Sequence, residues 1–308
     1  MDNGRLRFIS LETTAFSGAT LLAMLLGAHP DIATIGEISG LIKRHTPETY
    51  LCSCGQIIKE CGFWQDVAAA MANRGFSFNA GYFNMEFRLN GPHILQRLRE
   101  GSIRHKIIDD IRDKILFSIP SQRYQLQTIT DRNVAFVESV LETTGERVFI
   151  DSAKDRLRPK ALLRLAPLDV GIIHLVRGVE GVVASQLRRG RGPDVGKLAQ
   201  DWVKRHRRVE VNLQSWPVTK YIQVRYEDIC QRTEEELTRL YTFCGVNSDV
   251  KGVNFQTTQH IVGNSMRLRP LTAIKLDERW REELTEEQLQ IIERVAGDIK
   301  QRYGYAYN

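Results

Sequence analysis

Five short runs rich in β-branched and aromatic residues recur along the chain: RLRFISL at 5–11, IATI at 32–35, RVFID at 147–151, VGIIHLV at 170–176 and TKYIQVR at 219–225. Helix-type segments separate them. Near-continuous apolar strands alternating with helices can satisfy both faces only in a parallel sheet covered on each side. The pattern therefore predicts a three-layer α/β sandwich with a central parallel sheet of about five strands. Residues 40–145 interrupt the rhythm with amphipathic pieces such as FWQDVAAAMANRG and GPHILQRLREG and little strand character, which reads as a mostly helical insertion within a single domain spanning 1–308.

A chain of 308 residues with 42% hydrophobic content can bury one large core. Its 43 basic against 37 acidic residues give a formal charge of +6. That excess is too diffuse for a nucleic-acid binder and fits a small polyanionic ligand. The start, MDNGRLRFISLETT, has no long apolar stretch, and the longest apolar run, Leu21 to Leu26, is far below the roughly 20 residues that span a bilayer. The expectation is a cytoplasmic protein with no membrane span. Five cysteines, an odd count, argue against a complete disulfide framework. Cys52, Cys54 and Cys61 cluster in LCSCGQIIKECGFW, with His45 as the nearby fourth candidate for a metal. Because Cys-x-Cys is tight for zinc, free thiols in a packed loop are favoured over a metal or a local disulfide, and no metal is expected.

The first run leads into ETTAFSGATLLAMLLGAHPD at 12–31. Ser17 has the chemistry of an N-cap, Gly18 lets backbone approach a ligand, and Leu21, Leu22, Leu25 and Leu26 form an apolar stripe. Strand, turn and helix N-terminus together make an anion site that needs no side-chain charge, although an ordinary β-to-α connection would read similarly. The kinase signature G-x-x-x-x-G-K-[ST] is absent. The fourth run ends in Arg177, at the ligand edge of an open α/β sheet, and Ser185 follows eight residues later on the next helix. One cation and one hydroxyl suit a phosphomonoester; a surface Arg with a solvated Ser is the alternative.

In this order, FSGAT at 16–20 and RGVEGVVAS at 177–185 resemble the sulfotransferases that use 3′-phosphoadenosine 5′-phosphosulfate (PAPS). LLGAHPDIATIGE, CSCG…CGFW, DSAKD at 151–155, VRYEDIC at 224–230 and HIVGNSMR at 260–267 extend the likeness to the bacterial and tyrosylprotein-sulfotransferase-like branch, over residues 5 to about 305. The resemblance implies the P-loop-like sulfotransferase fold, with the insertion shaping the acceptor site. It implies that the loop of Phe16, Ser17, Gly18, Ala19, Thr20 and Leu21 holds the 5′-phosphosulfate. Arg177 and Ser185 would grip the 3′-phosphate, and Asn264 and Arg267 would close over the cofactor. Tyr226 would line the adenine site, or else cap the following helix inside the core.

By the same resemblance Glu37 would be the base that takes the acceptor's proton, unless it caps a helix or binds an Arg. Phe16 departs from the family, which carries Arg or Lys there. Lys154 would replace that cation, unless it pairs on the surface with Asp151 or Asp155. The implied activity moves a sulfuryl group from PAPS to a hydroxyl or amine of a small-molecule or peptide acceptor, leaving 3′,5′-phosphoadenosine (PAP). A degenerate member that binds PAPS or PAP without turnover is the alternative, argued by Phe16. A nucleotide phosphotransferase lacks its lysine and a magnesium-holding acidic pair.

Overall fold

The structure is a computed structural model that describes residues 7–38, 46–91, 106–155, 157–250, 260–269 and 273–305. Every predicted run forms a strand: β1 (Arg7–Glu12), β2 (Ile32–Thr34), β3 (Val148–Asp151), β4 (Asp169–Val176) and β5 (Lys220–Arg225). They make one parallel sheet in the order β2-β3-β1-β4-β5. β1 lies in the centre, and the chain visits β2 and β3 on one side before crossing to β4 and β5. Loops following the carboxyl ends of β1, β3 and β4 therefore gather at one crevice, the ligand position of such sheets.

The helices are α1 (Ala19–Leu26), α2 (Gly62–Asn73), α3 (Lys106–Ser118), α4 (Pro120–Thr144), α5 (Arg158–Leu165), α6 (Val179–Arg188), α7 (Val195–Ser215), α8 (Tyr226–Gln231), α9 (Thr233–Cys244), α10 (Trp280–Glu283) and α11 (Glu286–Arg302). Alternation along β1 feeds two cores. Phe8 packs with Phe149, Trp64 and Phe136 under α2 and α4, while Ile9 and Leu11 pack with Leu22, Leu25 and Leu240 under α1 and α9. The result is the three-layer sandwich expected of strands buried on both faces. Between β2 and β3 the described regular elements with more than a single bridge are α2, α3 and α4. The segment GPHILQRLREG lies, apart from Gly91, outside the described residues, as do His45 and His93. No helix among the described residues is long and apolar enough to cross a membrane.

One buried polar pair links the sheet to α7. His174 Nε2 on β4 lies 2.8 Å from His206 Nδ1, and both rings are about 99% buried or more. Burial first, and then the Arg205 charge, push His174 down to about 3; burial and the His174 and Arg205 charges lower His206 too. The unfolded chain carries ordinary histidines near pH 6.5. Below that pH the unfolded state takes up protons that the folded state refuses, so stability is full above about 6.5, declines as pH falls and levels off near 3. Urea unfolding should show a loss of about 2 kcal/mol from His174 alone between pH 7 and pH 5. A stability that is flat across that interval would contradict the neutral pair.

Candidate active site

The loop between β1 and α1 is built to leave the helix end open. Thr13 Oγ1 donates to the Leu175 carbonyl at 2.6 Å, and Arg205 donates to the Thr13 carbonyl at 2.9 Å while pairing with buried Glu12 at 3.1 Å. Ser17 is not the N-cap that its chemistry suggests. Its hydroxyl turns into the loop, donating to the Thr14 carbonyl at 2.9 Å, and the N-cap is Gly18, with no side-chain cap bond. Glycine is required at that cap position for a steric reason. Gly18 adopts φ +89, and a Cβ there would come within 2.5 Å of the Tyr226 ring, so only glycine lets the loop close. Phe16 holds φ 63, a left-handed conformation that is uncommon for a bulky residue and that clusters at ligand-binding turns. The first N–H groups of α1 are thus uncapped, presenting the positive end of the helix dipole.

Glu37 and Lys154 meet across the sheet edge, with Lys154 Nζ 3.1 Å from Glu37 Oε1 and both side chains about one-third exposed. Their meeting is arranged by the buried Asp151 at the end of β3. Asp151 Oδ1 accepts from Ala153 N at 2.8 Å and from Ile38 N at 3.4 Å, and Oδ2 accepts from Arg158 Nη1 at 2.8 Å. Ser152 N also donates to the Gly36 carbonyl at 3.0 Å. Lys154 therefore pairs with neither Asp151 nor Asp155, because both acids are engaged at Arg158 and the backbone. Gly36, at φ +77, packs its α-carbon against the Val262 carbonyl, and this turn delivers Glu37 to the crevice.

Arg177 follows β4 and is nearly buried. Its Nη1 donates to the Phe16 carbonyl at 3.0 Å and lies 3.5 Å from Ser185 Oγ, its guanidinium sits 4.5 Å from the centre of the Tyr226 ring, and Trp202 fixes its backbone by donating to the Arg177 carbonyl at 3.0 Å. Arg177 also forms an ion pair with Asp277 at 3.2 Å, as does Arg279 at 2.7 Å. The Arg279 guanidinium, with Arg177 beside it, holds the Asp277 carboxyl well below the usual carboxylate range. A carboxylate thus already occupies the place where two guanidinium groups converge.

These groups line one cleft of about 840 Å³, in the range of small-molecule and cofactor sites. Phe16, Ser17, Gly18, Ala19, Thr20, Leu21, Glu37, Lys154, Arg177, Ser185, Tyr226 and Asn264 all border it. Arg267 does not. Its guanidinium turns back to the Gly263 carbonyl at 2.6 Å and the Leu51 carbonyl at 2.8 Å, over the Tyr50 ring, where it braces the 263–267 segment from behind. Sequence reasoning missed Thr14, Arg188, Arg189, Arg191, Asp277 and Arg279, which also line the cleft. The run RRGRG at 188–192, at the carboxyl end of α6, carried a usable signal for three of them. Thr14 has a buried hydroxyl with no hydrogen-bond partner among the described residues. Uncapped helix N–H groups, a buried arginine and a cationic rim suit a ligand with more than one anionic group.

No curated protein matches the chain in sequence. Among solved structures, the sulfotransferase domain from the curacin biosynthetic pathway is similar over 99% of both chains, with 16% identity and a TM-score of 0.48. The sulfotransferase domain of the Synechococcus PCC 7002 olefin synthase is similar over 94% of both, with 18% identity and a TM-score of 0.47. Sulfotransferase STF1 from Mycobacterium tuberculosis H37Rv is similar over 97% of this chain and 77% of its own, with 16% identity and a TM-score of 0.44. The model of the sulfotransferase family matches residues 90–249, just over half of the chain, a stretch that includes Lys154, Arg177, Ser185 and Tyr226, and on that match the chain belongs to the sulfotransferase family.

Proposed function

We propose that the cleft binds PAPS and that the protein transfers its sulfuryl group to a hydroxyl or amine of a small-molecule or peptide acceptor. The observation that carries this reading is the placement of Arg177 and Ser185, 3.5 Å apart, beside the uncapped N-terminus of α1. Two anion-binding elements in one cleft match a ligand with phosphate at both ends of a nucleoside. The 5′-phosphosulfate sits on the N–H groups of Ala19, Thr20 and Leu21, and the 3′-phosphate on Arg177 and Ser185, displacing the Asp277 carboxylate. Tyr226 offers an aromatic face between them. The helices α2, α3 and α4, which lie between β2 and β3 in the chain, form the acceptor side.

In the reaction the acceptor oxygen or nitrogen forms a bond to sulfur as the bond between sulfur and the bridging phosphate oxygen breaks. Glu37 takes the acceptor's proton, and PAP leaves with the electron pair on its 5′-phosphate. The charge growing on that oxygen needs preorganised positive groups. Lys154, held beside the cleft by Glu37, supplies the full charge that Phe16 does not. The alternative, a PAPS- or PAP-binding protein without turnover, is favoured by Phe16 alone and does not use the Glu37–Lys154 pair.

The test is ligand stabilisation. PAP should raise the melting temperature strongly, and adenosine 5′-phosphate at equal concentration should do so much less. Arg177→Ala should weaken PAP by about 1.5–3 kcal/mol, roughly tenfold to more than a hundredfold, and Asp277→Asn should tighten it by removing the competing carboxylate. Equal stabilisation by the two nucleotides would remove the cofactor assignment.

A further inference from the structure

The cysteines set aside as free thiols in the sequence acquire a fourth partner in the fold. All five cysteines are free of disulfides. Cys52 opens a tight turn that contains Cys54 and in which Gly55, at φ +87, donates its N–H to the Cys52 carbonyl, and the Leu51–Ile57 antiparallel bridge closes its base. Cys61 stands at the N-terminus of α2. His260 arrives 199 residues after Cys61 and places Nδ1 3.3 Å from Cys61 Sγ and 3.6 Å from Cys52 Sγ. Cys54 Sγ lies 3.6 Å from Cys61 Sγ, and all four ligand atoms fall within 4.8 Å of one another.

We propose that Cys52, Cys54, Cys61 and His260 hold a structural zinc ion. A tetrahedral centre with Zn–S near 2.3 Å and Zn–N near 2.0–2.1 Å requires ligand-to-ligand edges of about 3.5–3.8 Å. The three short edges, at 3.3, 3.6 and 3.6 Å, lie within a few tenths of an ångström of those values, and with all four ligand atoms inside 4.8 Å small side-chain shifts complete the tetrahedron. Three thiolates and one imidazole in a tetrahedral array suit zinc and disfavour the hard cations magnesium and calcium. Four protein ligands leave no open position, so the ion is structural and not a catalyst. Phe63 stacks on the His260 ring at 4.3 Å with the planes 5° apart, which fixes the imidazole, and Cys52 and Cys61 are fully buried.

The metal's place explains its use. Directly after His260, Ile261 N donates to Ser53 Oγ at 2.7 Å, Val262 N to the Ile35 carbonyl at 2.8 Å, and Gly263 N to Tyr50 Oη at 2.8 Å. The ion therefore ties the loop after β2 to the segment that carries Gly263 and Asn264 to the cleft and that packs on the turn before Glu37. It is a clamp on two walls of the active site. This assignment does not depend on the identity of the cofactor.

The decisive measurement is elemental analysis of protein purified under reducing conditions from zinc-replete cells, which should give one zinc per chain. Titration of the stripped protein with cobalt(II) should produce the intense visible bands of a tetrahedral site with thiolate charge transfer. Cys54→Ser and His260→Ala, at the two half-buried ligands, should each weaken zinc by more than the 10–100-fold typical of losing an outer-shell partner, whereas Cys230→Ser, outside the cluster, should retain one zinc. Metal-poor protein with only a weak octahedral cobalt spectrum would overturn the proposal. A Cys54–Cys61 disulfide found by mass spectrometry in that preparation would also overturn it. Both wild-type measurements stand even if a ligand variant fails to fold.

Discussion

Glu37→Gln is expected to bind PAP with near-wild-type affinity and to lose about 10²–10⁴-fold in kcat, the range for removing a general base. The carboxylate stands at the ligand edge of the sheet, on a turn forced by Gly36, and its Oε1 is held 3.1 Å from Lys154 Nζ. Glutamine keeps the shape and a hydrogen-bond acceptor but cannot take a proton, so a structural role would leave turnover nearly intact. Lys154→Ala gives the companion signature. If Lys154 stabilises charge that develops on the leaving phosphate, kcat falls much more than PAPS affinity, because the interaction strengthens in the transition state. If it only orients Glu37, Lys154→Ala in the Glu37→Gln background causes no additional loss. Steady-state kinetics on the single and double variants separate these cases. Full activity of Glu37→Gln on a turned-over acceptor would reassign the base.

Arg158→Met is expected to destabilise the fold by about 3–5 kcal/mol, the magnitude for removing one partner of a buried ion pair. Arg158 is fully buried, and every arm of its guanidinium is used: Nη1 donates to Asp151 at 2.8 Å, Nε to Asn133 at 3.1 Å, and Nη2 to the Met85 carbonyl at 3.0 Å. Methionine fills much of the volume but leaves Asp151 with an uncompensated charge in the core and Asn133 with a lost donor. The effect should reach the active site as well, since Asp151 organises the backbone on both sides of the Glu37–Lys154 pair. Urea unfolding measures the first consequence, and kcat at a temperature where the variant stays folded measures the second. A loss below about 1 kcal/mol would mean that Arg158 is not the counter-charge that the core depends on.

The sequence by itself determined the strands, because a strand buried on both faces must be written as a continuous apolar run and such runs are local. It also determined that a strand-turn-helix loop follows β1 and that Arg177 and Ser185 share one loop and helix, since eight positions along a single turn and helix fix their relation. What it left open were the side chains whose partners depend on strand order. Glu37 and Lys154 are 117 positions apart, and they touch because β2 and β3 are neighbours in the sheet. Ser17 has the chemistry of a cap, yet its hydroxyl turns inward to the Thr14 carbonyl and the cap position falls to Gly18, on which the Tyr226 ring packs. Arg267 has the charge for a phosphate, yet two carbonyls and a tyrosine ring hold it behind the cleft. Asp277 on Arg177 and His260 beside three cysteines are likewise products of chain closure. Local stereochemistry sets which elements form, and loop closure across the sheet decides which charged groups must satisfy one another once water is excluded between them.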